Sequence, residues 1–175
     1  MNDFFNEEIP STPSRYTKIK ENETRKLRIL SSPTPMWEYW TLDNKPVRVP
    51  VVKWIDAPKS PRPDRKTRYT WALTVYNYDT NQVELWQCGQ RQIIDSLLGY
   101  AQDPDFWSPL DYDIKVTRTW KDLETKYSVK ALQKQSIAED INMIVKTSHV
   151  NHRALFFSAD PFDTNWDETF EIEQI

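Results

Sequence analysis

The chain has 175 residues, 38% hydrophobic and 28% charged, with 2 Gly against 12 Pro and a heavy aromatic load of 8 Trp, 8 Tyr and 7 Phe. Average glycine usage would supply roughly 12, so the glycine-rich phosphate loops of dinucleotide-binding and P-loop enzymes are excluded. A single Cys forbids an internal disulfide and suits a reducing compartment, and a formal net charge of −3 taken alone argues against a nucleic-acid binder.

Residues 1–23 are polar, carry Pro10 and Pro13, and lack the basic start and apolar run of a signal peptide, so a flexible arm on a cytoplasmic protein is expected. RKLRILS (25–31) alternates Leu27 and Ile29 with Lys26 and Arg28, the period of a half-buried strand. WEYWTL (37–42) and PVRVPVVKW (46–54) follow as strands around Asp43, Asn44 and Lys45, with Pro50 marking an edge or bulge. APKSPRPDRKTR (57–68) interleaves three prolines with Lys59, Arg62, Arg65, Lys66 and Arg68, and reads as an exposed basic loop.

YTWALTVYNY (69–78) and VELWQC (83–88) form a predicted hairpin across the spacer DTNQ. Ile93, Ile94, Leu97, Leu98 and Ala101 then fall at helical spacing, which predicts an amphipathic helix over 90–101. YDIKVTRTW (112–120) and KYSVKAL (126–132) make a second hairpin. Ile114, Val116, Tyr127 and Val129 share one face, and Lys115, Thr117, Lys126, Ser128 and Lys130 share the other. Ser136 with Glu139 reads as a capping box before a helix striped by Ile137, Ile141, Ile144 and Val145, ending near Thr147. HVNHRALFF (149–157) is ambiguous. No run of 18 apolar residues occurs, so no membrane association is expected.

This order predicts a mainly β fold with two short helices: an OB-like, partly open five-stranded β-barrel over residues 24–157. An SH3-like barrel or an α+β sandwich is the alternative. Residues 158–175 are an acidic C-terminal tail.

Charge divides sharply along the chain. From Arg15 to Arg68 there are 14 Lys or Arg against 6 Asp or Glu, whereas residues 160–175 hold six acids and no Lys or Arg. The body is basic although the whole chain is acidic. Apolar groups sit among the tail's carboxylates, and Asp160, Phe162, Trp166, Phe170 and Ile175 are expected to bind a partner protein. Packing of Trp166 and Phe170 back onto the body is the competing reading.

Catalytic signatures are missing from this sequence. His149, His152 and Cys88 lack zinc-site spacing, no GxSxG motif occurs, and Asp103, Asp105, Asp111 and Asp113 lie in or beside a Pro-bounded loop. No catalytic residue, metal or cofactor is expected. What stands out is aromatics interleaved with cations. A sequence-tolerant binder of single strands needs flat platforms for bases and positive charge for phosphates, each stacked base being worth about 1–3 kcal/mol. The candidate platforms are Trp37, Tyr39, Trp40, Trp54, Tyr69, Trp71, Tyr76, Trp86 and Trp120, with about half of the tryptophans expected in the core and Trp71 and Trp86 the most ambiguous. The candidate phosphate contacts are Arg48, Lys53, Arg65, Lys66, Arg68, Lys115, Arg118, Lys126 and Lys130.

KLRILSSPTPMWEYW with KPVRV, TWALTVYNYDTNQVELWQCGQRQIIDSL, and DYDIKVTRTW with TKYSV resemble phage-encoded single-stranded DNA-binding proteins of the OB-fold type, over residues 24–133. The resemblance implies a protein that coats single strands in phage DNA replication and recombination, in the cytoplasm of an infected host. It also implies an acidic tail that contacts replication enzymes or covers the groove. The chain departs from the bacterial type in lacking a Gly/Gln-rich linker, so tetramerisation does not carry over. A phage-encoded inhibitor or adaptor of a host enzyme is the alternative function.

Overall fold

The computed structural model describes residues 14–121 and 123–166. Seven strands occur among them: β1 (Glu23–Ile29), β2 (Thr34–Trp40), β3 (Pro46–Pro50), β4 (Arg68–Asn77), β5 (Gln82–Cys88), β6 (Tyr112–Lys121) and β7 (Glu124–Lys134). Two α-helices, α1 (Arg91–Gln102) and α2 (Glu139–Thr147), and a 3-10 helix, His152–Phe157, complete the fold. The sheet is antiparallel and open, ordered β3-β2-β4-β1-β6-β7, with β5 on the other edge of β4. The expected count of five strands is therefore too low.

The extra strands have a physical origin. β1 and β2 lie end to end along one edge of β4, pairing Ile29 with Val75 and Thr34 with Ala72. Between them the register slips, and Ser31 fills the gap by accepting a hydrogen bond from Thr74 N (3.0 Å). They behave as one long bent strand broken by a bulge, which re-aims the chain. β3 is an added ribbon that pairs only with β2 and stops at Pro50, earlier than the run to Trp54 predicts, because proline cannot donate to the ladder.

The two sheet faces are buried differently. Leu27, Ile29, Trp71, Leu73, Val75, Trp86 and Cys88 pack with Ile114 and Val116 and with Ile93, Ile94 and Leu97 of α1 as the main core. Leu98 and Ala101, placed by periodicity on that helix face, are exposed instead. The opposite face of β4 and β5 is covered by the chain's own end. Tyr76 and Val83 meet Ile141 of α2, while Met36, Ala72 and Leu85 meet Leu155. Residues 135–166 thus form a strap over the sheet.

Three polar clusters hold the strap and the start of the chain in place. Arg28, 1% exposed, donates to Asp113 (2.8 Å) and to the carbonyls of Leu110 and Gln135. The Asp113 carboxylate also takes Lys26, Tyr78 and Gln135. His152 sits between Thr34 Oγ1 and Thr74 Oγ1, each 2.8 Å away. Buried Glu84 accepts from Thr17, Asn77 and Thr80. With Tyr16 bridging to Leu85 and Thr17 N donating to Leu85 O, this last cluster holds residues 15–17, at the end of the expected N-terminal arm, against β5.

Gly89 answers a close approach rather than a turn: a Cβ there would meet Thr70 Cγ2 at 2.9 Å. The capping box is not formed. Ala138 occupies the N-cap of α2 without a side-chain bond, and Glu139 and Asp140 favour the helix start through its dipole. No helix among the described residues is long and apolar enough to cross a membrane.

Candidate nucleic-acid interface

The far end of β4, beyond the core, carries the densest set of expected site residues. Across the β2–β4 ladder Trp37 lies opposite Tyr69, and the two rings meet edge to face at 5.4 Å. Tyr39 follows on the same face, half-buried. Tyr69 Oη accepts from Trp71 Nε1 (3.0 Å), which fixes the phenol, while Trp37 Nε1 is buried without a partner.

The other face of this ribbon presents Trp40 with the Arg65 guanidinium 4.7 Å from its ring centre. Trp40, Arg65, Lys66 and Arg68 line a cavity of about 470 Å³. Arg48 and Arg68 converge here on Glu38, at 3.1 and 2.6 Å, so one buried acid holds both guanidinium groups. Arg65 and Lys66 have no carboxylate partner among the described residues. Lys66 carries charge without a carboxylate beside it among the described residues, while Arg65 shares the field of Asp64.

Beyond β3 a tight turn closes with Ile55 N donating to Val52 O. Trp54 sits in it at φ 73°, 92% exposed, with Lys53 Nζ 5.2 Å from its ring centre. A bulky residue in the left-handed region costs roughly 1–2 kcal/mol, and this one gains no burial in return.

Three expected platforms are corrected. Trp71 at 8%, Tyr76 at 2% and Trp86 at 3% exposure are core residues, with no face for a base to stack upon. Trp71 and Trp86 pack beside Cys88 in the main core, and Tyr76 lies under α2. Trp120, 46% exposed, stands apart near the β6–β7 turn, its backbone N–H bound to Asn22.

The expected cations also divide. Arg118 bonds the Ile19 carbonyl and lies 5.9 Å from the Tyr127 ring centre, so it serves the hairpin's packing. Lys115, Lys126 and Lys130 are exposed on the outward face of β6 and β7, separated from the Trp40 cluster by the strap. The structure does not gather them with the aromatics into one groove.

The tail is corrected as well. Phe162 packs edge to face on Tyr16 (5.7 Å) with Arg15 4.1 Å from its ring centre, and Trp166 lies against Phe157 (5.5 Å). Asp160 accepts from the Phe162 backbone N–H. Both rings are committed to the body because the 3-10 helix and Pro161 turn the chain back over it. Phe170 and Ile175 lie outside the described residues.

Sequence reasoning missed Trp107, exposed at φ 51° in the loop after α1, where only its context among Pro and Asp marked it as a surface residue. Nor does the sequence mark His152 as an interior group. Burial pushes the His152 imidazole below the ordinary histidine range, and it faces the sheet side opposite Cys88. Cys88 is fully buried, and that burial pushes its thiol up to about 12. Among the described residues no three His, Cys, Asp or Glu side chains cluster to hold a metal. Compared with protein-family models, curated proteins and solved structures, the chain matches none.

Proposed function

We propose that the protein is a non-catalytic, sequence-tolerant single-stranded DNA-binding protein acting in phage DNA replication and recombination, with its groove at the β2–β3–β4 ribbon. One observation carries the reading: aromatic rings and cations meet there, in Trp40 with Arg65 and Trp54 with Lys53, beside the ring pair Trp37 and Tyr69. Rings supply stacking to any base, and cations follow the phosphates whatever the sequence. The connectivity supports an OB-type barrel. One long bent strand (β1 with β2), a hairpin (β4–β5), a helix and a second hairpin (β6–β7) follow one another in that fold's order. Here the outer face of the first hairpin lies under the strap, so the ligand surface moves to the ribbon inserted between β2 and β4.

Tryptophan fluorescence titrated with oligo-dT tests this. Quenching that saturates, and an affinity that falls steeply with salt, are expected. No quenching and no mobility shift at low salt would sink it.

A second reading has its own observation. Leu97, Leu98, Trp71, Ile29, Pro33 and Pro109 line an apolar cavity of about 190 Å³ beside the exposed Leu110. The exposed Leu98 and Leu110 at its rim suit a protein partner, as an inhibitor or adaptor of a host enzyme requires. Recovery of one stoichiometric host protein in a nuclease-resistant pulldown, with no oligo-dT binding, favours it over the first.

A further inference from the structure

The outward face of β1, β6 and β7 is built against its own stability. Lys26 lies opposite Lys115, and Lys115 lies opposite Lys130, so three lysines stand in one row across the sheet. Like charges directly opposite one another destabilise a sheet. Lys26 is relieved by Asp113 at 3.1 Å, but neither Lys115 nor Lys130 has a carboxylate partner among the described residues. The next row is Thr24, Thr117 and Ser128, with Thr24 and Thr117 hydroxyls 2.8 Å apart. Lys126 follows one row further on, with the exposed Glu124 carboxylate 3.7 Å from its amine.

Among the described residues the ring in this row is Tyr78, which lies beneath Lys26 Nζ (4.1 Å) and edge-on to Tyr76, so it is already covered. The rest of the face carries cations and hydroxyls, which fit phosphate oxygens and offer no free ring for a stacked base. Spacing selects the polymer. Four residues of strand place Lys126 roughly 13 Å from the Lys115 and Lys130 pair, close to the width of about 12 Å of the B-DNA major groove. That spacing would let the two positions meet phosphates on opposite edges of the groove.

We propose that this face is a second nucleic-acid surface, which holds the sugar-phosphate backbone of duplex DNA while the ribbon holds a single strand. The proposal shares with the single-strand reading only the premise that the polymer is DNA. Together the two surfaces would seat the chain at a junction between paired and unpaired DNA.

The test uses the full chain and the variant Lys115→Gln with Lys130→Gln, titrated by anisotropy against a short blunt DNA duplex and against oligo-dT at two salt concentrations. The variant is expected to lose about tenfold on the duplex, with the salt slope lowered by about 1.8, and less than that on oligo-dT. Its melting temperature should match or exceed the wild type, since repulsion is removed. Lys115→Arg with Lys130→Arg should restore duplex binding. Equal losses on both probes, or no duplex binding by the wild type, overturn the proposal. So does a change in sedimentation caused by the variant without DNA, which would assign the face to a second copy's acidic end. Duplex binding without oligo-dT binding would instead overturn the single-strand reading and leave this one standing.

Discussion

The β2–β3 ribbon and the β6–β7 face are both cationic, yet they are made by opposite means. On the ribbon, rings are held by rings and by guanidinium groups, and Glu38 cancels part of the charge through Arg48 and Arg68. On the β6–β7 face no carboxylate among the described residues pairs with Lys115 or Lys130, and the row beside theirs is of hydroxyls, Thr117 and Ser128. The lesson is that a count of basic residues hides two chemistries. On the reading proposed above, one would take bases together with phosphates and the other phosphates alone, with the strap that begins at Gln135 between them.

Breaking the divider should have the largest effect. Asp113→Ala leaves Arg28 buried without its carboxylate, which is expected to cost about 3–5 kcal/mol in urea denaturation. It should also blur the difference between the surfaces by freeing the strap at Gln135. Next comes Trp40→Ala, which removes a platform and should weaken oligo-dT binding by about 1–3 kcal/mol with little change on duplex. Trp86→Phe is the control, lowering stability and sparing both ligands, because Trp86 is core.

Gly99→Ala should leave both surfaces alone and raise stability by about 1 kcal/mol in thermal melts, since a Cβ there meets nothing within 4 Å and alanine favours the helix. Lys66→Ala, unneutralised and exposed, should lower the oligo-dT salt slope by about 0.7, whereas Arg48→Ala, already held by Glu38, should change it less. A pH series separates the strap from the surfaces. His152 is depressed below its ordinary 6.5 in the fold, so the unfolded chain takes up the proton first. Stability should be full above pH 6.5 and fall as pH drops below it, and His152→Gln should flatten that dependence in melts from pH 7.5 to 5.5.

Much of the scaffold was legible in the sequence, because period-2 and period-3.6 patterns report burial directly. The alternation of Ile114, Val116, Tyr127 and Val129 with the lysines is the clearest case, and α1 lies within a residue of its expected span. The strap was not legible. Its contacts join residues such as Leu155 and Met36 that are far apart in sequence, and no local pattern encodes such a pairing. For the same reason Tyr76, on a strand face that alternation leaves open, reads as a platform although α2 covers it. Phe162 reads as a partner anchor because acidity along the tail masks an apolar residue that packs on Tyr16 and Arg15.

Cys88 gives the molecule a built-in clock. A thiol wholly inside the core, with its ionisation pushed to about 12, offers no thiolate to a reagent while the fold is closed. It lies where β5 meets β4 beneath α1, so exposure demands that the main core part. The rate at which a disulfide reagent labels this one sulfur therefore counts openings of the whole body. Adding oligo-dT or duplex to that reaction weighs each ligand's grip on the folded state, with no engineered probe.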